Sequence, residues 1–197
     1  LAVTAVAILG GAVAPAMTEP TITPTAIAGA KLGLGKVAYA RRLGRPVRFE
    51  AAGGGDMIEP GFQQPSDYSR LVFAKRKMDV YFQGGIDRAI IITTWNKAYR
   101  TAEGVGPCST LTQVTKAYRK RLRPNPGNTV GNAVYSYLVG RTLIFEFANT
   151  AQHPAVSTFV TSVALYDGTG PTWNKRGGTL GYTSFVASAP DQVPCTP

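Results

Sequence analysis

GAKLGLGKVAYA at residues 29–40 and GPCSTLTQVTKA at residues 106–117 decide the reading of this chain, because they line up on each other at one constant spacing. Gly29, Leu34, Val37 and Ala40 fall on Gly106, Leu111, Val114 and Ala117. Each stretch is followed by a Tyr-Ser-x-Leu-Val run, Tyr68 to Val72 and then Tyr135 to Val139. Apolar residues at helical spacing that lead into short alternating runs predict a helix feeding a sheet, twice over. The expected fold class is α+β, with two tandem units, each a helical segment followed by a small three-stranded antiparallel sheet. Units this short bury thin cores alone, so the two are expected to pack side by side.

The first unit spans residues 29–100. Leu34, Val37, Ala38, Arg41 and Arg42 have helical spacing, and Gly44 followed by Pro46 supplies a stop. Arg48 to Asp67, with its glycines and prolines, reads as a loop. Strands are expected at Tyr68–Ala74, Lys77–Gln83 and Asp87–Thr94, the last two joined by the hairpin dipeptide Gly84-Gly85. In the middle strand Met78, Val80 and Phe82 alternate with Asp79 and Tyr81, which predicts one buried and one wet face. The second unit spans residues 101–167. Thr110 and Gln113 make a capping-box pattern for a helix through Leu111, Val114, Ala117, Tyr118 and Leu122, with Pro124 ending it. Its strands are expected at Val134–Val139, Thr142–Ala148 and Thr158–Tyr166, around a loop from Asn149 to Ser157. Residues 17–28 read as an extended linker, and residues 168–197 as a Pro/Gly-rich tail in which Leu180 to Ser188 offers one more strand.

Leu32-Gly33-Leu34, Val37 and Leu43-Gly44-Arg45-Pro46 resemble the opening motif of the outer-membrane assembly lipoprotein family, whose small modules run helix and then three strands. Tandem use of such a unit is similar to the β-lactamase inhibitory protein fold. The likeness extends over Gly29 to Tyr166 and implies a protein-binding scaffold with an exposed sheet surface. Two departures stand against it: no lipidated cysteine follows the apolar start, and the inhibitor's disulfides lie within its repeats, whereas this chain offers a single distant pair.

Leu1 to Ala16 carries no charge and ends in Ala14-Pro15-Ala16, the pattern of a signal-peptide apolar region and cleavage site. The rival reading is a membrane anchor, although the run is shorter than the roughly 20 apolar residues a spanning helix needs. A secreted or cell-envelope location is expected. Cys108 and Cys195 are the only cysteines, which in an exported chain predicts one disulfide between them. The alternative is a reactive Cys108 thiol at a helix start.

A catalytic reading has little material. His153 is the only histidine, and no Gly-x-Ser-x-Gly elbow is present. The cysteine and histidine spacings match no metal-ligand pattern. Gly33-Leu34-Gly35-Lys36 lacks the rest of a phosphate loop and reads as a turn into the helix. Asp79 and Asp87 read as solvated surface. Neither enzyme activity, metal nor cofactor is expected.

Two candidate surfaces remain. The 21 Lys and Arg against 11 Asp and Glu give a net charge of +10, which favours anionic partners. Lys36, Arg41, Arg42 and Arg45 form one basic cluster at the first helix; Lys116, Arg119, Lys120 and Arg121 form its counterpart at the second. Both are anion-binding candidates. Tyr68, Tyr81, Tyr135 and Tyr137 are protein-binding candidates, since tyrosines on an open sheet face make good anchors. The expected function is a secreted, non-enzymatic binding or inhibitor-like module for an extracellular or envelope protein. The alternatives are attachment to an anionic cell-envelope polymer or lipid, and a hydrolase using His153. Nucleic acid is not an expected partner.

Overall fold

A computed structural model of the chain describes residues 21–50, 68–83, 87–124, 134–148, 155, 157–167 and 195. The apolar start, Gly84-Gly85, His153, residues 51–67 of the expected loop, and the tail apart from Cys195 lie outside these residues. Strand β1 is Ile22–Thr23, β2 Ala26–Ile27 and β3 Ala30–Lys31; helix α1 is Lys36–Leu43; β4 is Arg48–Glu50, β5 Tyr68–Phe73, β6 Met78–Gln83 and β7 Ala89–Thr94. Helix α2 is Leu111–Tyr118, followed by β8 Leu122–Pro124, β9 Val134–Val139, β10 Leu143–Ala148 and β11 Ser162–Tyr166.

The described residues are mostly β, and this corrects the expected fold class. The strands form two antiparallel sheets, a three-stranded one in the order β1-β2-β3 and an eight-stranded one in the order β4-β5-β6-β7-β11-β10-β9-β8. There are no separate helix-plus-three-strand units. The two parts of the large sheet meet where β7 pairs with β11, Ile92 opposite Leu165 and Thr94 opposite Val163. The reason lies in β7 itself: all six residues of AIIITT are buried, so the strand needs a neighbour on each side.

Each outer edge is a short strand that was read otherwise. β4 carries Arg48 and Glu50 and had been assigned to a loop; β8 carries Arg123 and Pro124. Charge and proline suit an edge, where a missing N–H costs no ladder bond. Pro124 therefore ends an edge strand and not a helix. Helix α2 stops earlier, at Tyr118, where Arg119 turns left-handed with φ 45° and begins a 3-10 turn through Arg121.

Residues 21–28 are structural and not a linker. Ile22 and Ile27 are fully buried, and Ile22 N–H donates to Arg100 O at 2.9 Å while Arg100 N–H donates to Thr21 Oγ1 at 2.8 Å. The two isoleucines bring enough apolar surface to hold a hairpin, roughly 1.5–3 kcal/mol each when fully buried.

Both helices pack on one face of the large sheet. From α1, Tyr39 and Leu43 join Met78, Val80 and Phe82; from α2, Leu111, Val114 and Tyr118 join Leu143, Phe145 and Val163. Tyr39 meets Phe82 edge-on at 5.6 Å between ring centroids, and Tyr118 meets Phe145 at 5.4 Å. The capping box at α2 is complete: Thr110 Oγ1 accepts from Gln113 N–H, and Gln113 Oε1 accepts from Thr110 N–H at 2.8 Å. Gly44, with φ 89°, closes α1. Helical spacing misjudged one residue, because Val37 is 62 % exposed while Val114, its partner in the sequence match, is buried.

The face of the sheet away from the helices is not wet. Tyr81, Ile90, Ile91, Ile144 and Ala164 are buried there, as are Asp79, Thr93, Ser136, Glu146 and Ser162. The expected alternation of a buried and a wet face along β6 is therefore overturned, and so is the reading of Asp79 as solvated surface.

Candidate anion-binding face

Since the two helices share one face of the sheet, their outer sides share one side of the molecule. Helix α1 (KVAYARRL) and helix α2 (LTQVTKAY) contain no acidic residue, and their basic residues concentrate in and just after the last turns. That placement is favourable in itself, because cations interact well with the C-terminal end of a helix dipole.

The eight basic candidates divide into two groups. Lys36 and Arg121 are engaged locally. Lys36 N–H donates to Asp87 Oδ1 at 3.0 Å, its Nζ lies 3.7 Å from the same oxygen, and its ammonium sits over the Phe82 and Phe49 rings at 5.1 and 5.7 Å. Asp87 thus caps α1 from a distant part of the chain. This explains Gly35, where a Cβ would stand 2.5 Å from Asp87 Oδ2. Arg121 donates to Glu103 Oε1 at 2.8 Å and lies over the Tyr118 ring at 5.1 Å. The other six, Arg41, Arg42, Arg45, Lys116, Arg119 and Lys120, are exposed. None of these six forms an ion pair among the described residues.

Glu103 also accepts from the Tyr118 hydroxyl at 2.9 Å. Burial pushes its carboxyl up, but the hydrogen bonds from Arg121 and Tyr118 outweigh that and hold it below the usual 4.5. A depressed acid stabilises the fold above its unfolded value and stops doing so as pH falls through its folded value. Stability is therefore expected to hold at neutral pH and to decline below pH 4.5, with Glu103→Gln flattening part of that decline in urea midpoints measured against pH. An identical acid limb in the variant would remove Glu103 from this role.

Of the tyrosine candidates, Tyr81, Tyr135 and Tyr137 do not form an open face. Tyr81 is buried, with the Arg70 guanidinium 5.9 Å from its ring centroid. Tyr135 and Tyr137 are half-buried on the helix side, their rings 5.4 Å apart, and Tyr137 meets Phe147 at 5.8 Å. Burial, with Tyr135 beside it, raises the Tyr137 hydroxyl. Tyr68 begins β5 opposite Gln83.

The far face of the sheet carries two polar groups, in which Arg70, Glu146, Ser136 and Ser162 are residues the sequence did not single out. Arg70 Nη1 pairs with Asp79 Oδ2 at 3.3 Å and donates to the Tyr81 hydroxyl oxygen at 3.4 Å. Ser162 donates its hydroxyl to Glu146 Oε2, and Glu146 stands opposite Ser136. A charged residue inside an apolar strand such as LIFEFA is the signal that could have found Glu146. Among the described residues no three His, Cys, Asp or Glu side chains gather closely enough to hold a metal ion. No described helix is long and apolar enough to cross a membrane.

Cys108 and Cys195 are joined by a disulfide, with their Cα atoms 5.2 Å apart. No family model, curated protein or solved structure matches the chain, so the likeness to the lipoprotein and inhibitor modules stands on the short motifs alone.

Proposed function

We propose that this protein is a non-enzymatic attachment module that works outside the cytoplasm and holds an anionic envelope surface with the outer sides of α1 and α2. One observation carries the reading: Arg41, Arg42, Arg45, Lys116, Arg119 and Lys120 are exposed on the helix-bearing side and none forms an ion pair among the described residues. Charges committed to folding normally acquire partners. The disulfide supports an oxidising compartment. A protein-binding role resting on open-face tyrosines has less support, since Tyr81 is buried, the rings of Tyr135 and Tyr137 pack on each other, and Tyr137 packs on Phe147.

Binding to polyphosphate, a soluble stand-in for the anionic surface, tests this. Basic groups near an anionic surface contribute about 1 kcal/mol each, so Arg41→Gln/Arg42→Gln/Arg45→Gln is expected to weaken binding about a hundredfold. The wild-type affinity is expected to collapse as the screening length shrinks from about 10 Å at 0.1 M salt to about 3 Å at 1 M. Affinity that survives high salt, or a triple variant that binds as tightly as wild type, would overturn the reading.

A further inference from the structure

The three large apolar side chains that stand exposed among the described residues are Val37 at 62 %, Val47 at 63 % and Phe49 at 53 %. They fall within one short stretch: Val37 in α1, Phe49 in the edge strand β4 that follows it, and Val47 in the connection just before β4. Single exposed apolar residues are ordinary and mean little. These three share a corner.

Register shows which way the corner faces. Phe49 is opposite Leu71, whose side chain joins the core beneath the helices, so Phe49 points to the helix side of the sheet. Val47 comes just before β4 and is held beside β5 by its N–H, which donates to Val72 O at 2.9 Å. The Lys36 ammonium 5.7 Å from the Phe49 ring centroid fixes the edge strand against the start of α1. Val37 follows Lys36 on the outer side of the helix, away from buried Tyr39 and Leu43. Val37 and Phe49 therefore lie on the helix-bearing side, Val37 on the same helix as Arg41 and Arg42 and Phe49 beside the Lys36 ammonium.

We infer that this corner makes the anionic partner a lipid surface: Val37, Val47 and Phe49 enter the interfacial region while the neighbouring arginines contact anionic headgroups. The inference rests on the attachment reading above and narrows it. Charge complementarity selects the occupant, because a hydrated anionic polymer satisfies the arginines and leaves the three apolar groups in water. A lipid interface takes both, and stable attachment of a peripheral protein commonly needs apolar and basic contributions together.

Flotation with vesicles of phosphatidylglycerol and phosphatidylcholine, read beside polyphosphate binding, tests it. Val47→Ser/Phe49→Ser, which leaves the charge unchanged, is expected to lose vesicle binding by more than about tenfold, since each residue gives up part of the burial energy of a Val or Phe side chain. Its polyphosphate binding should remain, and an unchanged urea midpoint shows that the variant is folded. Vesicle binding by the wild type should keep a part that survives high salt and is absent from the double variant. Three results would overturn the inference: equal vesicle binding by both proteins, wild-type binding to polyphosphate with none to vesicles, or a saturable protein ligand that Phe49→Ser abolishes while vesicles still bind. The second of these leaves the attachment reading standing; loss of both vesicle and polyphosphate binding in the wild type removes both.

Discussion

Asp79→Ala is expected to lower unfolding free energy by about 3–5 kcal/mol, the cost of removing one partner from a buried ion pair. The Arg70 and Asp79 side chains are 13 % and 5 % exposed, and their charged atoms meet at 3.3 Å between neighbouring strands. Removing the carboxylate leaves a guanidinium in surroundings that solvate it poorly. The same physics makes the pair dispensable as a unit, because apolar residues of similar volume can replace both ions at little net cost. Arg70→Met/Asp79→Leu is therefore expected to recover most of the loss in urea denaturation followed by far-UV circular dichroism. A penalty for Asp79→Ala below about 1 kcal/mol would place the pair with exposed salt bridges instead.

Opening the disulfide is expected to cost a comparable amount, about 4–5 kcal/mol on the chain-entropy account. Cys108 and Cys195 are 87 residues apart in sequence, and closing a long loop removes much of the freedom of the unfolded chain. The bridge grips a well-anchored point. Cys108 sits in a left-handed turn with φ 67°, its N–H donates to Val160 O at 2.8 Å, and Thr110 caps α2 two residues later. Reduction should therefore loosen the start of α2 and its contact with the approach to β11. Urea midpoints of the oxidised protein and of Cys108→Ala/Cys195→Ala measure the loss, and non-reducing peptide mapping should recover one peptide pair holding both cysteines. Two free thiols in the native protein would refute the pairing and return Cys108 to the reactive-thiol reading.

What was legible in the sequence was chiefly local. Six strands stand within a few residues of where alternation and turn residues put them, and Thr110 and Gln113 declare the start of α2 because a cap is a short-range device. Strands β1 to β4 and β8 were missed because two or three residues are too few to show a period. The joining of everything from β4 to β8 into one sheet was also invisible, since it depends on β7 meeting β11, a pairing no local pattern encodes. The matched Tyr-Ser-x-Leu-Val runs illustrate the limit. Leu71 points to the helices whereas Leu138 packs on the opposite face, so identical letters sit in opposite phase. As for the candidate face, the basic residues could be found from composition, but which six of them form no ion pair among the described residues could not. That depends on where Asp87 and Glu103 come to rest, on Lys36 and Arg121. Phe49 escaped notice because a strand as short as β4 gives no sign that its apolar residue stays uncovered, and Val47 because it stands outside any regular element.

The pairing of β7 with β11 also governs the order in which the chain becomes safe during synthesis. When residues 89–94 emerge, β6 is already available on one side, but the second neighbour is β11, which begins only at Ser162. Throughout that interval AIIITT has one row of backbone donors and acceptors without its native partner. Such a row on an apolar strand is a template for other chains. Pairing between positions so far apart is intrinsically slow. The nascent protein thus carries a hazard of misassociation at the middle of its finished sheet, and the last of the described strands removes it.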